Sequence, residues 1–233
     1  MSKKEIAMNL IQEPSTGLIR EYIDKFDSEQ DTNEKTVKMV FSELGYDSLE
    51  SILVKVIVLN SRYSTMLNDN KPSEERIARA LSENRRIMPN VVQVAEKLFA
   101  FEKEGRFQGC KTIHEISALI KEFKQFDNPF SQPYSFITKY CSFRFDEIEV
   151  AVCDNYVRAM LYLINEKMIH DKQKGFTGSF NNSDLDDYDT FLKIISSFAL
   201  KFAPGFSGKE IDKYLWQYGK DLAKDGFDIR TVL

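Results

Sequence analysis

The chain has 233 residues, a formal net charge of −4 at pH 7 and 42% hydrophobic residues. These values are ordinary for a globular protein and argue against long disordered linkers. With no run of 18 apolar residues and no apolar segment of signal-peptide length, the sequence predicts a cytoplasmic protein without a membrane span. Helical periodicity runs along the chain and no alternating strand pattern competes with it, so we predict an all-α fold.

The first predicted helices are marked by apolar stripes and capping residues. Apolar residues lie on one face over 18–26 and again over 37–44, and Gly45 is a natural residue to end the second stripe. Asp47 and Glu50 then have the spacing of a capping box for the helix that follows.

That helix is apolar on nearly every face from Leu49 to Leu59, so we predict that it is central. It ends in Asn60, Arg62 and Tyr63. An arginine and an aromatic ring at a helix end can contact phosphates or base edges and enter an opened duplex. An ordinary helix end with solvated side chains explains the same residues, and both interpretations stay open.

Three further helices are predicted in the middle of the chain. They lie around 77–81, over 91–99, and after a capping box formed by Thr112 and Glu115. A stretch with two prolines at 128–134 then separates these helices from the segment that follows.

That segment, about 134–165, is predicted to be a helix, a turn and a second helix. Lys139 lies in its short first helix among aromatic residues that include Tyr140 and Phe143. Such a lysine either extends its amine to solvent or occupies a drier site of the kind that an amine nucleophile needs. Asp154 opens the long second helix, where a helix N-cap alone would explain it.

A carboxylate and an amine that face each other suit cleavage of an N-glycosidic bond. The carboxylate stabilises the cationic sugar, and the amine or an activated water attacks it. If the turn brings Asp154 and Lys139 to one cleft, the pair could perform this chemistry. The end of the chain is predicted to hold a polar loop at 172–187, a helix over 191–202, and a last helix that a Ser207–Glu210 capping box opens.

Other enzymatic signatures are absent from the sequence. There is no P-loop, GxGxxG, GxSxG or HExxH motif, and His114 and His170 are isolated. Three cysteines without a CxxC pair argue against a disulfide framework and a structural zinc site. We therefore predict neither a metal nor a cofactor.

Four short segments, taken in order, resemble the helix-hairpin-helix DNA glycosylase superfamily, in particular its divergent branch around the archaeal 8-oxoguanine glycosylases. They lie at 58–65, 136–140, 152–157 and 211–219. The resemblance implies that residues 1–233 form one glycosylase-like helical domain of two lobes with a cleft between them. Gln132-Pro133-Tyr134 replaces the usual glycine-rich hairpin, and no iron–sulfur centre is implied, because a C-terminal four-cysteine cluster is absent.

The resemblance also implies the roles of individual residues. Lys139 would be the lysine that can form a Schiff base, and Asp154 the essential aspartate. Arg62 or Tyr63, beside Asn60, would fill the gap left by a flipped base. The base would be held by a set of aromatic residues, namely Trp216, Tyr140 and Phe143.

The predicted function is therefore a DNA glycosylase that flips out a damaged or modified base and excises it, leaving an abasic site. The expected partner is double-stranded DNA, the expected state is a monomer, and the setting would be repair or defence against phage with modified bases. A non-catalytic helical DNA-binding or protein-interaction module is the alternative, and the acidic balance favours the protein-interaction module.

Overall fold

The computed structural model describes residues 3–63, 67, 90–124, 134–224, 226, 227 and 229. Within these residues the protein is all-helical and has no β-strand, which confirms the all-α part of the predicted fold. None of the described helices combines the length and the apolar character needed to cross a bilayer. The predicted helix around 77–81, Ser64, Thr65 and the turn at 132–133 lie outside the described residues.

The α-helices are α1 (Lys3–Leu10), α2 (Thr16–Glu43), α3 (Leu49–Tyr63), α4 (Val91–Lys103), α5 (Ile113–Lys124), α6 (Tyr134–Arg144), α7 (Asn155–His170), α8 (Tyr188–Phe202) and α9 (Gly208–Lys224). A short 3₁₀-helix, Asn182–Asp186, lies inside the predicted polar loop. The chain divides into two compact units. Unit 1 consists of Met1–Asp31 and Glu149–Leu233, and unit 2 consists of Thr32–Ile148.

The core of unit 1 is built on helices α7, α8 and α9. Gly219 of α9 allows a very close helix contact, because a Cβ atom there would lie 3.2 Å from the side chains of both Met160 and Tyr156 in α7. Fully buried rings of Tyr188, Phe191 and other aromatic residues fill the rest of this core.

The core of unit 2 surrounds α6, in which residues Tyr134 and Phe136–Ser142 are all buried. A helix that is buried on nearly every face has no solvent side, which agrees with the absence of an amphipathic pattern in this segment. Aromatic rings fill the space around it, namely Phe41, Phe101, Phe107, Phe123, Phe136 and Tyr140.

Two predicted capping boxes are confirmed. Glu115 accepts a hydrogen bond from the Thr112 backbone N–H at 2.9 Å, and the Thr112 hydroxyl accepts from the Glu115 N–H at 3.3 Å. The same exchange joins Ser207 and Glu210 at 2.8 and 3.2 Å. Each box satisfies N–H groups that have no partner inside the helix.

The capping box predicted at Asp47 and Glu50 is wrong. Helix α3 begins at Leu49, one residue later than that box requires, so Ser48 takes the N-cap position. Its hydroxyl oxygen accepts a hydrogen bond from the Ser51 backbone N–H at 3.1 Å.

The expectation for the preceding helix also changes. The stripes at 18–26 and 37–44 belong to one continuous helix, α2. Gly45 does not have the positive φ of a glycine C-cap. Instead, the carbonyl groups of Leu44 and Gly45 accept hydrogen bonds from the Lys55 ammonium at 2.6 and 2.5 Å. A side-chain cation therefore satisfies the carbonyl groups at this helix end.

Candidate active site

Asp154 is the N-cap residue of α7, as the sequence predicts. Its Oδ1 atom accepts hydrogen bonds from the backbone N–H groups of Tyr156 and Val157 at 2.8 and 3.3 Å. Only 7% of the residue is exposed. The two hydrogen bonds fix the orientation of the carboxylate at the positive end of the helix, where a negative charge is favoured.

A second buried carboxyl group, that of Asp212 in α9, lies close to Asp154. Asp212 is 6% exposed, and its Oδ2 atom accepts a hydrogen bond from the Val152 backbone N–H at 2.7 Å. Burial raises the pKa of Asp212 to about 8, and the negative charge of Asp154 contributes to the rise. The Val152 hydrogen bond and the ammonium groups of Lys209 and Lys213 act in the opposite direction.

Two half-buried aromatic rings lie on the helices that carry or begin at these carboxyl groups. Trp216 follows Asp212 by one helical turn, and Tyr156 follows Asp154 by two residues. The two rings meet edge to face, with centroids 6.2 Å apart, and the Trp216 ring also meets Phe26 at 5.3 Å. The Lys220 ammonium lies 4.6 Å from the centroid of the Trp216 ring. Unit 1 therefore combines two carboxyl groups, two aromatic rings and a cation.

Lys139 is buried in unit 2, in agreement with the drier of the two environments considered for it. The residue is 6% exposed, and its Nζ atom lies 6.0 Å from the centroid of the Tyr63 ring. Tyr63 is half-buried and its ring lies 5.7 Å from that of Phe143. Unit 2 thus brings together Tyr63 from the end of α3 with Lys139 and Phe143 of α6. Tyr140, from the same helix, is fully buried and packs on Phe41 at 5.2 Å.

Asn60 and Arg62, also at the end of α3, differ in what their side chains contact. The Asn60 side chain accepts a hydrogen bond from the Leu67 backbone N–H at 3.1 Å, so it holds the chain that follows the helix. Arg62 is exposed. Asn60 therefore has a structural partner, whereas Arg62 presents its charge to solvent, as contact with a phosphate requires.

Sequence reasoning missed a cationic cluster in unit 2. Lys55 is fully buried, and its Nζ atom lies 3.8 Å from the centroid of the Tyr46 ring. The Arg144 guanidinium lies 4.0 Å from the same centroid and forms an ion pair with the buried Glu102 at 2.9 Å. Burial lowers the pKa of Lys55 to about 8, although Glu102 acts against the change. The sequence feature that could have indicated this cluster is a lysine inside an otherwise apolar helix.

Sequence reasoning also missed Asp212, because its neighbours Lys209 and Lys213 give that stretch the composition of a solvated helix face. Among the residues that the structure describes, no group of three or more His, Cys, Asp or Glu side chains could hold a metal ion. Cys110, Cys141 and Cys153 all fall within the described ranges and are free thiols.

Comparison with known proteins places the chain in a family. The model of the HI_0787 N-terminal domain matches residues 18–147, which is more than half of the chain. The chain belongs to the HI_0787_N family. An uncharacterized protein of Haemophilus influenzae is 35% identical over 120 residues, a match that covers 52% of this chain and 49% of that relative. The matched part thus spans about half the length of the relative. No solved structure matches the chain significantly.

The HI_0787_N match divides the candidate residues into two groups. Lys139 lies inside the matched range, as do Asn60, Arg62, Tyr63, Tyr140 and Phe143. Asp154, Asp212 and Trp216 lie beyond its end. The family description states no activity, so the chemistry has to be argued from the side chains themselves.

Proposed function

We propose that the protein is a DNA N-glycosylase that excises a damaged or modified base and leaves an abasic site. Asp154 stabilises the cationic sugar as the base departs. Lys139 is assigned separately, as a nucleophilic amine or an electrostatic helper. Trp216 stacks on the extruded base, while Arg62 and Tyr63 hold the opened duplex. Base excision of this kind would serve repair, or defence against phage whose DNA contains modified bases.

The observation that carries the proposal is the environment of Asp154. Its carboxylate is held by two backbone N–H groups at the N-terminus of α7 and is nearly removed from solvent. A fixed carboxylate in a region of low dielectric stabilises a developing positive charge without having to reorganise during the reaction. The nearby rings of Tyr156 and Trp216 offer stacking surfaces of the kind that a flipped base needs.

The surroundings of Lys139 support its assignment as the amine. An amine nucleophile needs a site from which bulk water is largely excluded. Lys139 is buried among aromatic side chains, with the Tyr63 ring 6.0 Å from its Nζ atom. The roles of Asp154 and Lys139 are separate assignments, and separate variants test them.

The first prediction concerns Asp154→Asn and Lys139→Gln. The protein is incubated with duplex oligonucleotides that carry oxidised, alkylated or phage-type modified bases, and products are read with and without hot alkali and after borohydride reduction. We expect Asp154→Asn to lower the excision rate by about 10²-fold to 10⁴-fold, because it removes the charge. Lys139→Gln should abolish the borohydride-trapped adduct, because it removes the amine.

Matched controls separate chemistry from stability. Asparagine is as good an N-cap as aspartate, so Asp154→Asn keeps the start of α7. Asp187 caps α8 in the same way, accepting from the Thr190 N–H at 2.9 Å, so Asp187→Asn should leave excision unchanged. Lys97, whose Nζ atom lies 5.7 Å from the Phe101 ring, offers Lys97→Gln as the control for Lys139. Absence of excision from every substrate would contradict the proposed function, and excision without a trapped adduct would contradict the role of Lys139.

A further inference from the structure

We infer that Asp212 is the general acid of this excision and gives its proton to the departing base. The inference rests on the proposed function and adds a catalytic residue to it. A purine or pyrimidine is a poor leaving group as an anion, so protonation of the base assists the cleavage of its glycosidic bond. A carboxyl group that is still protonated at neutral pH can supply that proton.

The geometry places Asp212 beside the carboxylate that the proposal already uses. Its Oδ2 atom is fixed by the Val152 N–H at 2.7 Å, and Val152 precedes Asp154 by two residues. Both carboxyl groups are nearly buried, each with only a small exposed edge. Trp216 lies one turn further along α9, on the helix that carries Asp212. The acid, the charged carboxylate and a stacking ring therefore belong to one part of unit 1.

Burial favours the protonated form of Asp212. Burial and the Asp154 carboxylate at the start of α7 raise its pKa to about 8. The cations that oppose them are Lys209 and Lys213 of α9, and Lys213 is itself paired with Asp27 of α2 at 2.6 Å. A carboxyl group that keeps its proton at neutral pH can act as a general acid.

The resulting step is balanced. The bond between C1′ and the base nitrogen breaks, and its electron pair stays on the base. The Asp212 proton moves to the base, which leaves as a neutral molecule, and Asp212 becomes a carboxylate. Asp154 stabilises the positive charge on the sugar until an amine or a water molecule bonds to C1′. The nucleophile releases a proton to solvent as it bonds to C1′, and Asp212 takes up a proton from solvent. Where the nucleophile is an amine, water then hydrolyses the adduct, so the protein ends as it began.

The test is the pH profile of single-turnover excision by the wild-type protein and by Asp212→Asn, between pH 5 and pH 10. The wild-type rate should fall about tenfold per pH unit above pH 8, because Asp212 loses its proton there. Asp212→Asn keeps an acceptor for the Val152 N–H but has no acidic proton. We expect it to be about 10²-fold slower at pH 6, with no decline near pH 8.

Each outcome decides the inference. A purely structural role would lower the rate of Asp212→Asn equally at every pH and preserve the decline, which would overturn the assignment. A wild-type profile without a decline near pH 8 would overturn it even if the variant failed to fold. Asp212→Glu, which restores an acid, should recover part of the rate together with a decline at alkaline pH. Excision by the wild type with an unaltered Asp212→Asn profile rejects only this inference, whereas no excision at all rejects the proposed function as well.

Discussion

Asp212 should also make the stability of the folded chain depend on pH. Its pKa rises from 3.8 to about 8 on folding, so the folded state binds more protons than the unfolded state between these values. The contribution of a group with a raised pKa is fully present below the unfolded pKa and is lost as pH rises towards the folded one. In that window the wild-type protein should lose up to about 1.4 kcal/mol of stability per pH unit relative to Asp212→Asn.

Urea unfolding of both proteins at pH 5, 6, 7, 8, 9 and 10 measures this second prediction directly and needs no substrate. The stability difference should grow in favour of Asp212→Asn up to pH 8 and stay constant above it. A constant difference across the range would show that the carboxyl group titrates normally. Asp187→Asn, at a helix cap in the same unit, provides the comparison for loss of a charge alone.

Individual residues were predictable where a local signal existed. Asp154 was expected as an N-cap because aspartate before a helical stripe has that role, and the structure agrees. Asp212 was not predictable, because its burial depends on which helix packs against α9, and the flanking lysines give no indication of that contact. Lys55 stands out as a lysine in an apolar helix, but its partners Leu44 and Gly45 could not be predicted, because they lie outside that helix.

At the scale of helices, the close contact between α7 and α9 carries the third prediction. In Gly219→Ala the added methyl group would lie 2.7 Å from Ile229 Cδ1 and 3.2 Å from Met160 and Tyr156, so the Ile229 side chain must move and the contact with α7 must loosen. Overpacking of this kind typically costs about 1–3 kcal/mol of folding stability. We expect a lower melting temperature for Gly219→Ala, measured by circular dichroism.

A second glycine of the same helix serves as the control. A methyl group at Gly208 would meet Ala151 at 3.6 Å and Ile195 at 3.7 Å, which are ordinary contacts. Gly208→Ala should therefore leave the melting temperature unchanged or raise it slightly. Equal destabilisation by both variants would indicate a general sensitivity of α9 and no special role for the close contact at Gly219.

The element boundaries show where sequence patterns fail. Thr112 with Glu115 was predicted correctly, because a capping box is a local signal within four residues. At the start of α3, however, Asp47 with Glu50 and Ser48 with Ser51 are both suitable pairs, offset by one residue. The turn before α3 favours Ser48 with Ser51. The Lys55 ammonium holds that turn, and Lys55 lies outside the four residues that a capping pattern covers.

At the scale of the whole molecule, a net charge of −4 makes DNA binding depend on a few local cations. Arg62 is exposed at the end of α3, so Arg62→Ala should weaken binding to all duplexes alike and reduce the salt dependence of the affinity by about one phosphate contact. Fluorescence anisotropy over a series of salt concentrations measures both quantities. Arg106, which already pairs with Glu104 and Glu122, gives Arg106→Ala as a control that should change neither. If Arg62→Ala leaves the salt dependence of the affinity unchanged, Arg62 does not contact DNA phosphates.

The all-α class followed from periodicity alone, because helical stripes need only neighbouring residues to be recognised. The assignment of helices to the two units could not be predicted in that way. Unit 1 joins residues before Asp31 to residues after Glu149, and contacts over such separations leave no mark on a local hydrophobic pattern.

The discontinuity of unit 1 has a consequence for biosynthesis. Unit 2 is one uninterrupted stretch and can collapse soon after it is made, whereas the first half of α2 packs on α9 through Tyr22 with Tyr214 and Phe26 with Trp216. Residues 32–207 must be translated before α9 begins, which at typical rates takes roughly 9–35 s. During that interval the apolar face of the first half of α2 is without its final neighbour. Nascent chains should therefore rely on chaperones most while the middle of the protein is being synthesised.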